Sequence, residues 1–156
     1  MRLRIVSVGR ARRGAEQELY EHYLDRLPWP VELKEVVAGR SLPAVERCRR
    51  EGEALLAAVP AEATLVVLDE RGAEMTSAAF AALVAAWTEA GVRDVAFVIG
   101  GADGLDAAVR KRADRVLSLG PMTWPHLLVR VLLAEQLYRA ASILAGHPYH
   151  RAGRKR

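Results

Sequence analysis

Three segments of the chain carry residue types suited to chemistry. Gly100-Gly101-Ala102-Asp103-Gly104 has three glycines in five positions. Glycines there let a backbone approach a ligand closely and permit positive φ. No Gly-Lys-Ser/Thr follows, so this is not a Walker loop, and the spacing is not Gly-x-Gly-x-x-Gly, which disfavours a Rossmann dinucleotide site. Leu119-Gly120-Pro121-Met122-Thr123-Trp124-Pro125-His126 combines two prolines, a glycine and an aromatic. That composition constrains the backbone and offers an apolar slot, which suits a flat purine held through backbone amides. The plain alternative for both segments is a rigid connection between a strand and a helix. His147-Pro148-Tyr149-His150-Arg151 brings together two imidazoles, a phenol and a guanidinium. Two histidines with no third ligand in reach make a poor zinc site, so no metal is expected.

Other reactive residues carry weaker signals. Cys48 is the single cysteine and lies in the charged run Glu46-Arg47-Cys48-Arg49-Arg50. It excludes an internal disulfide and a cysteine zinc cluster, and nothing marks it as a nucleophile. There is no Gly-x-Ser-x-Gly elbow, which argues against a serine hydrolase. Glu135 and Arg139 stand four apart in the order that favours a helical ion pair. His126 falls at a helix start, where simple packing is an equally good reading.

These segments need elements to position them. Residues 2–9 form a β-rich run closed by Gly9. Leu19, Tyr20, Tyr23, Leu24 and Leu27 recur at helical spacing until Pro28. Val31, Leu33, Val36 and Val37 suggest a second strand, and a helix is expected over roughly 42–58. Residues 64–68 form a continuous apolar run that suits a strand buried on both faces. A helix capped by Thr76 or Ser77 runs to Gly91. Residues 94–99 form another buried strand, 105–113 a helix, 115–119 a fifth strand, and Pro125 opens the longest helix, ending near Gly146. Five strands alternating with five helices predict an α/β fold with a mostly parallel sheet flanked by helices. Ligands of such sheets bind outside the carboxyl ends of the strands. That nominates Leu68 with Asp69, Gly100 with Gly101, and Leu119 with Gly120.

At 156 residues, with 51% hydrophobic and 27% charged residues, the chain suits one globular domain and is not a disordered tail. No apolar run reaches the roughly 18 residues of a membrane span. The charged alternation of Met1-Arg2-Leu3-Arg4-Ile5 is not a signal-peptide core, so a cytoplasmic protein is expected. The net charge of +4 is unevenly placed. Residues 1–13 carry +5 and residues 151–156 carry +4, leaving −5 on the rest. Twenty of the 23 bases are arginine. Arginine forks pair well with phosphate, so a nucleic-acid partner is plausible, against the plain reading of arginine-rich, solvated chain ends.

An ordered set of motifs resembles the ribosomal RNA large subunit methyltransferase H family. The set is Val98-Ile99-Gly100-Gly101-x-x-Gly104-Leu105, Met122-Thr123-Trp124-Pro125-His126, Val129-Arg130-Val131, Glu135-Gln136-Leu137-Tyr138-Arg139-Ala140 and Tyr149-His150-Arg151, with Val6-x-Val8-Gly9 and Leu68-Asp69-x-x-Gly72 before them. The resemblance spans nearly the whole chain. Two departures are Trp124 in the loop and the extension Ala-Gly-Arg-Lys-Arg after Arg151. It implies a single SPOUT-type domain over 1–156 with a C-terminal trefoil knot, the knotted cofactor-binding part lying about 64–146 and a basic tail over 147–156. It also implies a homodimer, S-adenosylmethionine as methyl donor, and N3-methylation of a pseudouridine in the helix 69 loop of 23S ribosomal RNA on assembled ribosomes. Its cofactor positions carry over to Leu68, Gly100, Leu119, Gly120, Pro121, Met122, Thr123 and Trp124.

The acceptor N3 is protonated at neutral pH, so a base would help methyl transfer. His150 is the first candidate because imidazole titrates near neutrality. Tyr149 is placed to stack on or orient the base, and Arg151 to stabilise the developing anion or bind phosphate. Arg130 and Arg139 are weaker candidates. Replacing Gly100 by Val is expected to abolish donor binding with the fold intact. Two other readings compete: a non-enzymatic ribosome- or RNA-binding α/β module, and an α/β nucleotide-binding protein with a different ligand.

Overall fold

The computed structural model describes residues 1–148. Five strands, β1 (Arg2–Val8), β2 (Val31–Val36), β3 (Thr64–Glu74), β4 (Asp94–Ile99) and β5 (Arg115–Ser118), alternate with α1 (Ala15–Leu24), α2 (Ala44–Ala57), α3 (Ser77–Glu89), α4 (Ala107–Arg112) and α5 (His126–Leu144). The strands form one sheet in the order β2-β1-β4-β3-β5, and every neighbouring pair is parallel. The expected α/β architecture is therefore present, with a fully parallel sheet among the described residues.

Alternation along each strand splits the core into two halves. Leu3, Ile5, Val66, Leu68, Val95, Phe97, Ile99 and Leu117 face one side, where Tyr20 of α1, Phe80, Val84 and Trp87 of α3, and Val131, Leu133 and Leu137 of α5 cover them. Val6, Val8, Leu65, Val67, Ala96 and Val98 face the other side, under Leu55 of α2 and Val109 of α4. Central strands buried on both faces explain why β4 reads as one continuous apolar run. Thr76 caps α3 by accepting a hydrogen bond from the Ala79 amide at 3.1 Å.

Four of the differences between expected and observed boundaries bear on the site or have a local cause. α1 begins at Ala15, a turn before the apolar spacing starts, because Gly14 opens it and polar residues fill its exposed first turn. α4 is confined to 107–112, since Asp106 acts as its N-cap and accepts from the Ala108 amide at 2.8 Å. α5 runs from His126 to Leu144, with Pro125 as its N-cap, so it starts one residue later than expected and ends two residues earlier. The largest difference is β3, which continues past Leu68 to Glu74. Its register against β5 shifts between Leu68 and Ala73, after which Ala73 pairs with Leu117 and Glu74 with Ser118. Gly72 makes this possible: a Cβ there would lie 2.6–2.7 Å from the backbone of Val116 and Leu117. The irregular polar stretch Asp69-Glu70-Arg71-Gly72 hid the continuation in the sequence.

Because all strands run the same way, the five connections that follow them lie along one sheet edge. Residues 100–106 and 119–125, with the irregular stretch 69–72 inside β3, occupy one half of that edge, and residues 9–14 and 37–43 the other.

Candidate active site

The irregular stretch of β3 after Leu68 and the loops after β4 and β5 enclose a cleft of about 780 Å³, within the range typical of small-molecule sites. Leu68, Ile99, Leu117, Leu119 and Val129 give it an apolar floor, and Met122 and Trp124 form an exposed apolar lip. Asp69, Glu70 and Asp103 add carboxylates to its rim.

Polar cross-ties hold the walls. Arg110 joins two of them, donating to the Leu105 carbonyl at 2.6 Å and to Asp69 at 3.2 Å. Asp69 also accepts the Arg71 amide at 2.9 Å. Ser118 Oγ donates to the Gly120 carbonyl and accepts the Gly120 amide, at 3.0 and 3.1 Å, which closes the turn after β5. Gly120 sits at φ +108°, a conformation that side chains disfavour. Thr123 donates to Glu70 across the cleft at 3.4 Å.

The structure brings together Leu68, Gly100, Leu119, Gly120, Met122, Thr123 and Trp124 in the lining of this cleft. Pro121 belongs to the same loop but is exposed and not part of the lining, because the Ser118–Gly120 turn carries it to the outside. Tyr149, His150 and Arg151 lie outside the described residues. The Gly100 expectation needs a correction. A Cβ on Gly100 would meet Leu105 Cγ at 2.7 Å and the Gly104 carbonyl at 2.9 Å. A valine would therefore push on the protein's own loop, and the fold there would not stay intact.

Arg130 is not a cleft residue. It is 1% exposed and donates to Ser7 Oγ at 3.0 Å, Glu35 at 2.5 Å and the Gly9 carbonyl at 2.8 Å. Its guanidinium is spent on holding β1 and β2 to α5. Arg139 pairs with Glu135 on α5, at 2.5 Å, as the spacing implied, but both side chains are about four-fifths buried. His126 does line the cleft. Burial, and then the nearby Arg130 charge, hold its imidazole below its ordinary pKa, so it is neutral at pH 7.

One residue passed over in the sequence is Glu51. It lies on α2 beneath the glycine loop and is 7% exposed. Its Oε2 has no hydrogen-bond partner and would be 2.9 Å from a Cβ on Gly101. Burial, and then the Asp103 charge, raise its pKa, with Arg47 opposing. The signal in the sequence is only an acid on the apolar side of α2, which is easily lost in a helix rich in surface ion pairs. Cys48, one turn away, stays a thiol because burial, then the nearby acids, raise its pKa.

A raised native pKa means the folded chain holds the Glu51 proton more tightly than the unfolded chain. Stability is then lost as pH rises above 4.5 and through the native value. Glu51→Gln removes this loss. The variant is expected to match the wild type in urea unfolding near pH 4 and to exceed it at pH 8. A wild-type advantage at pH 8 would contradict this account.

Among the described residues no helix is long and apolar enough to cross a membrane, and no group of three or more His, Cys, Asp or Glu is placed to hold a metal. Comparison with known proteins gives a consistent result. Residues 1–150 match a family model described as "Predicted SPOUT methyltransferase". The chain is 57% identical over 152 residues to the ribosomal RNA large subunit methyltransferase H of Rhodospirillum centenum, covering 97% of this chain and all of that protein. It is 55% identical over 151 residues to the protein of the same name from Paramagnetospirillum magneticum, covering 97% and 99%. Its fold is similar to the crystal structure of a probable methyltransferase from Bordetella pertussis Tohama I, with a TM-score of 0.58 at 17% identity, covering 90% of this chain and 96% of that one.

Proposed function

We propose that this chain, which belongs to the SPOUT methyltransferase family and within it to the ribosomal RNA large subunit methyltransferase H group, methylates 23S ribosomal RNA. The donor is S-adenosylmethionine. The acceptor is N3 of a pseudouridine in the helix 69 loop, presented on assembled ribosomes. The observation that carries this reading is the cleft at the break in β3 after Leu68 and the carboxyl ends of β4 and β5, which gathers the three positions nominated from sequence.

The residues present fit such a donor. Leu68, Leu117, Leu119 and Trp124 offer apolar surface for a purine, and Glu70 offers negative charge toward a cationic group, Asp69 and Asp103 being paired with Arg110 and Arg47. Leu68, Gly100 and residues 119–124 would hold it, Pro121 serving to stiffen the loop. When bound, the donor supplies an electrophilic methyl on a sulfonium. The chain's own contribution is to hold donor and acceptor in line, which lowers the entropic part of the barrier, and to accept the N3 proton. His150 is assigned that proton, with Tyr149 positioning the base and Arg151 meeting the developing negative charge. In this reading the part over about 64–146 forms the trefoil knot and 147–156 the basic tail. The protein works as a cytoplasmic homodimer; Leu128 and Leu144, exposed on an α5 that is apolar around much of its circumference, support a partner there.

Calorimetric titration with S-adenosylmethionine is expected to give one site per chain. Mass spectrometry of ribosomal RNA from a strain lacking the gene is expected to show one missing methyl on a helix 69 pseudouridine. Absence of donor binding would favour a non-enzymatic RNA-binding module, and intact methylation in the deletion strain would remove the substrate assignment.

A further inference from the structure

Not all arginines in this chain have the same standing. Arg2, Arg4, Arg47, Arg49, Arg50, Arg110, Arg130 and Arg139 form ion pairs. Arg10, Arg12 and Arg13 form none among the described residues, and all three are exposed. They occupy residues 9–14, the connection after β1, on the same sheet edge as the cleft.

That connection is anchored at several points. The Gly9 amide donates to the Val36 carbonyl at 2.9 Å. Arg130 holds the Gly9 carbonyl at 2.8 Å. The Ala11 amide donates to Glu35 Oε1 at 2.7 Å, the same oxygen that accepts from Arg130. At the far end the Gly14 carbonyl accepts the Glu18 amide at 3.1 Å, starting α1. Gly9 turns at φ +85°, where a Cβ would stand 3.2 Å from His126 Nε2. His126 lines the cleft. The arginine loop therefore starts from a glycine packed against a residue of the cleft lining.

Three exposed guanidinium groups without ion pairs, close together on one loop, make a local patch of positive charge that an anion can meet without displacing a protein partner. Glu16 and Glu18 follow on the first turn of α1 but make no ion pair with them. Glu35 is engaged by Arg130 and Ala11, and Arg10 acts on it through its charge without forming an ion pair. Arg40, also exposed and free of ion pairs among the described residues, follows β2, the neighbouring strand, at the same edge. Guanidinium forks match phosphate oxygens in geometry as well as charge. We infer that the loop of Arg10, Arg12 and Arg13 is a docking surface for the phosphate backbone of the RNA substrate, set beside the cleft and held in register by the Arg130–Glu35 pair. This rests on the ribosomal RNA reading above and adds to it the surface that positions the acceptor strand. Phosphate contacts of this kind set register and orientation and carry no sequence information.

The test uses the full chain with all three arginines replaced by Gln, assayed with assembled ribosomes lacking the modification. Each lost phosphate contact removes about 0.9 from the salt slope on a duplex, or about 0.7 on a single strand. The slope is expected to fall by roughly 2–3, and KM for ribosomes to rise by roughly 50- to 150-fold at about 0.15 M salt. The turnover rate at saturating ribosomes and calorimetric binding of S-adenosylmethionine stay unchanged, and the triple Lys variant recovers most of the affinity. Gln at Arg93 and Arg115, exposed on the opposite edge, serves as the control and leaves the slope alone. Protein-free 23S RNA should show the same loss of slope. A slope change seen with ribosomes but absent with protein-free RNA would assign the loop to an acidic protein surface and overturn the inference. So would a triple Gln variant that matches the wild type in affinity and slope, or one that lowers only the turnover rate. A wild-type chain that binds neither ribosomes nor 23S RNA would remove the ribosomal RNA reading itself, and this inference with it.

Discussion

A chain cut after Gly146 is expected to fold, to keep most of its affinity for S-adenosylmethionine, and to lose methyl transfer to ribosomes almost completely. The cut spares all five strands and the whole of α5, which ends at Leu144. It also spares every cleft-lining residue among the described residues, the last of which is Val129. Among the described residues the cut removes the hydrogen bond from the His147 amide to the Ser142 carbonyl, at 2.8 Å, at the helix end. What leaves with the tail is the chemistry assigned to Tyr149, His150 and Arg151. A positioned general base is worth roughly 10²–10⁴ in rate. His150→Ala should therefore lower the single-turnover rate at saturating ribosomes by a factor in that range, with ribosome binding little changed. If His150 only contacts phosphate, binding weakens and the single-turnover rate is preserved. Full methylation by the truncated chain would show that the active groups lie elsewhere.

Arg130→Met should lower the free energy of unfolding by about 3 kcal/mol, the lower end of what removing one partner of a buried ion pair costs. The lower end applies because the Glu35 side chain is 25% exposed and water partly replaces the lost cation. For a domain of this size that loss corresponds to a drop in Tm of roughly 6–12 °C. Methionine keeps much of the apolar stem but none of the donors, so Ser7 Oγ and the Gly9 carbonyl lose their bonds. Glu35→Gln should cost less, since its amide oxygen still accepts from Arg130 and Ala11. The Glu35 carboxyl gives the pair a pH signature. Burial pushes its pKa up, but the Ala11 amide, Arg130 and Arg10 together pull it below 4.5. A lowered native pKa contributes stability that is present above 4.5 and lost as pH falls through the native value. Thermal unfolding of the wild type should weaken in that acid range, and the Arg130→Met variant should weaken less. Equal acid sensitivity in the two proteins would contradict this.

Local pattern alone was sufficient for the element order, the parallel α/β class and most of the cleft. Period-2 and period-3.6 apolar repeats, with Gly and Pro at the breaks, are written within a few residues of where they act. Strands whose carboxyl ends share one sheet edge then gather Leu68, Gly100 and Leu119 without further information. The shift in β3 was not legible. Residues 69–72 look like a loop, and only Gly72 meeting the Leu117 backbone lets the strand resume. Arg130, Glu35 and Glu51 were not legible either. As charges on amphipathic segments, Arg130 passes for a catalytic candidate and Glu51 for a surface acid. Their burial depends on the strand order β2-β1-β4-β3-β5, which sets α5 against a β1 serine 123 residues away and slides α2 beneath the glycine loop. Contacts over such distances depend on how the chain closes. No repeat of two or 3.6 residues encodes that, so the tertiary structure alone separates the arginine that anchors the sheet from the arginines left free for a partner.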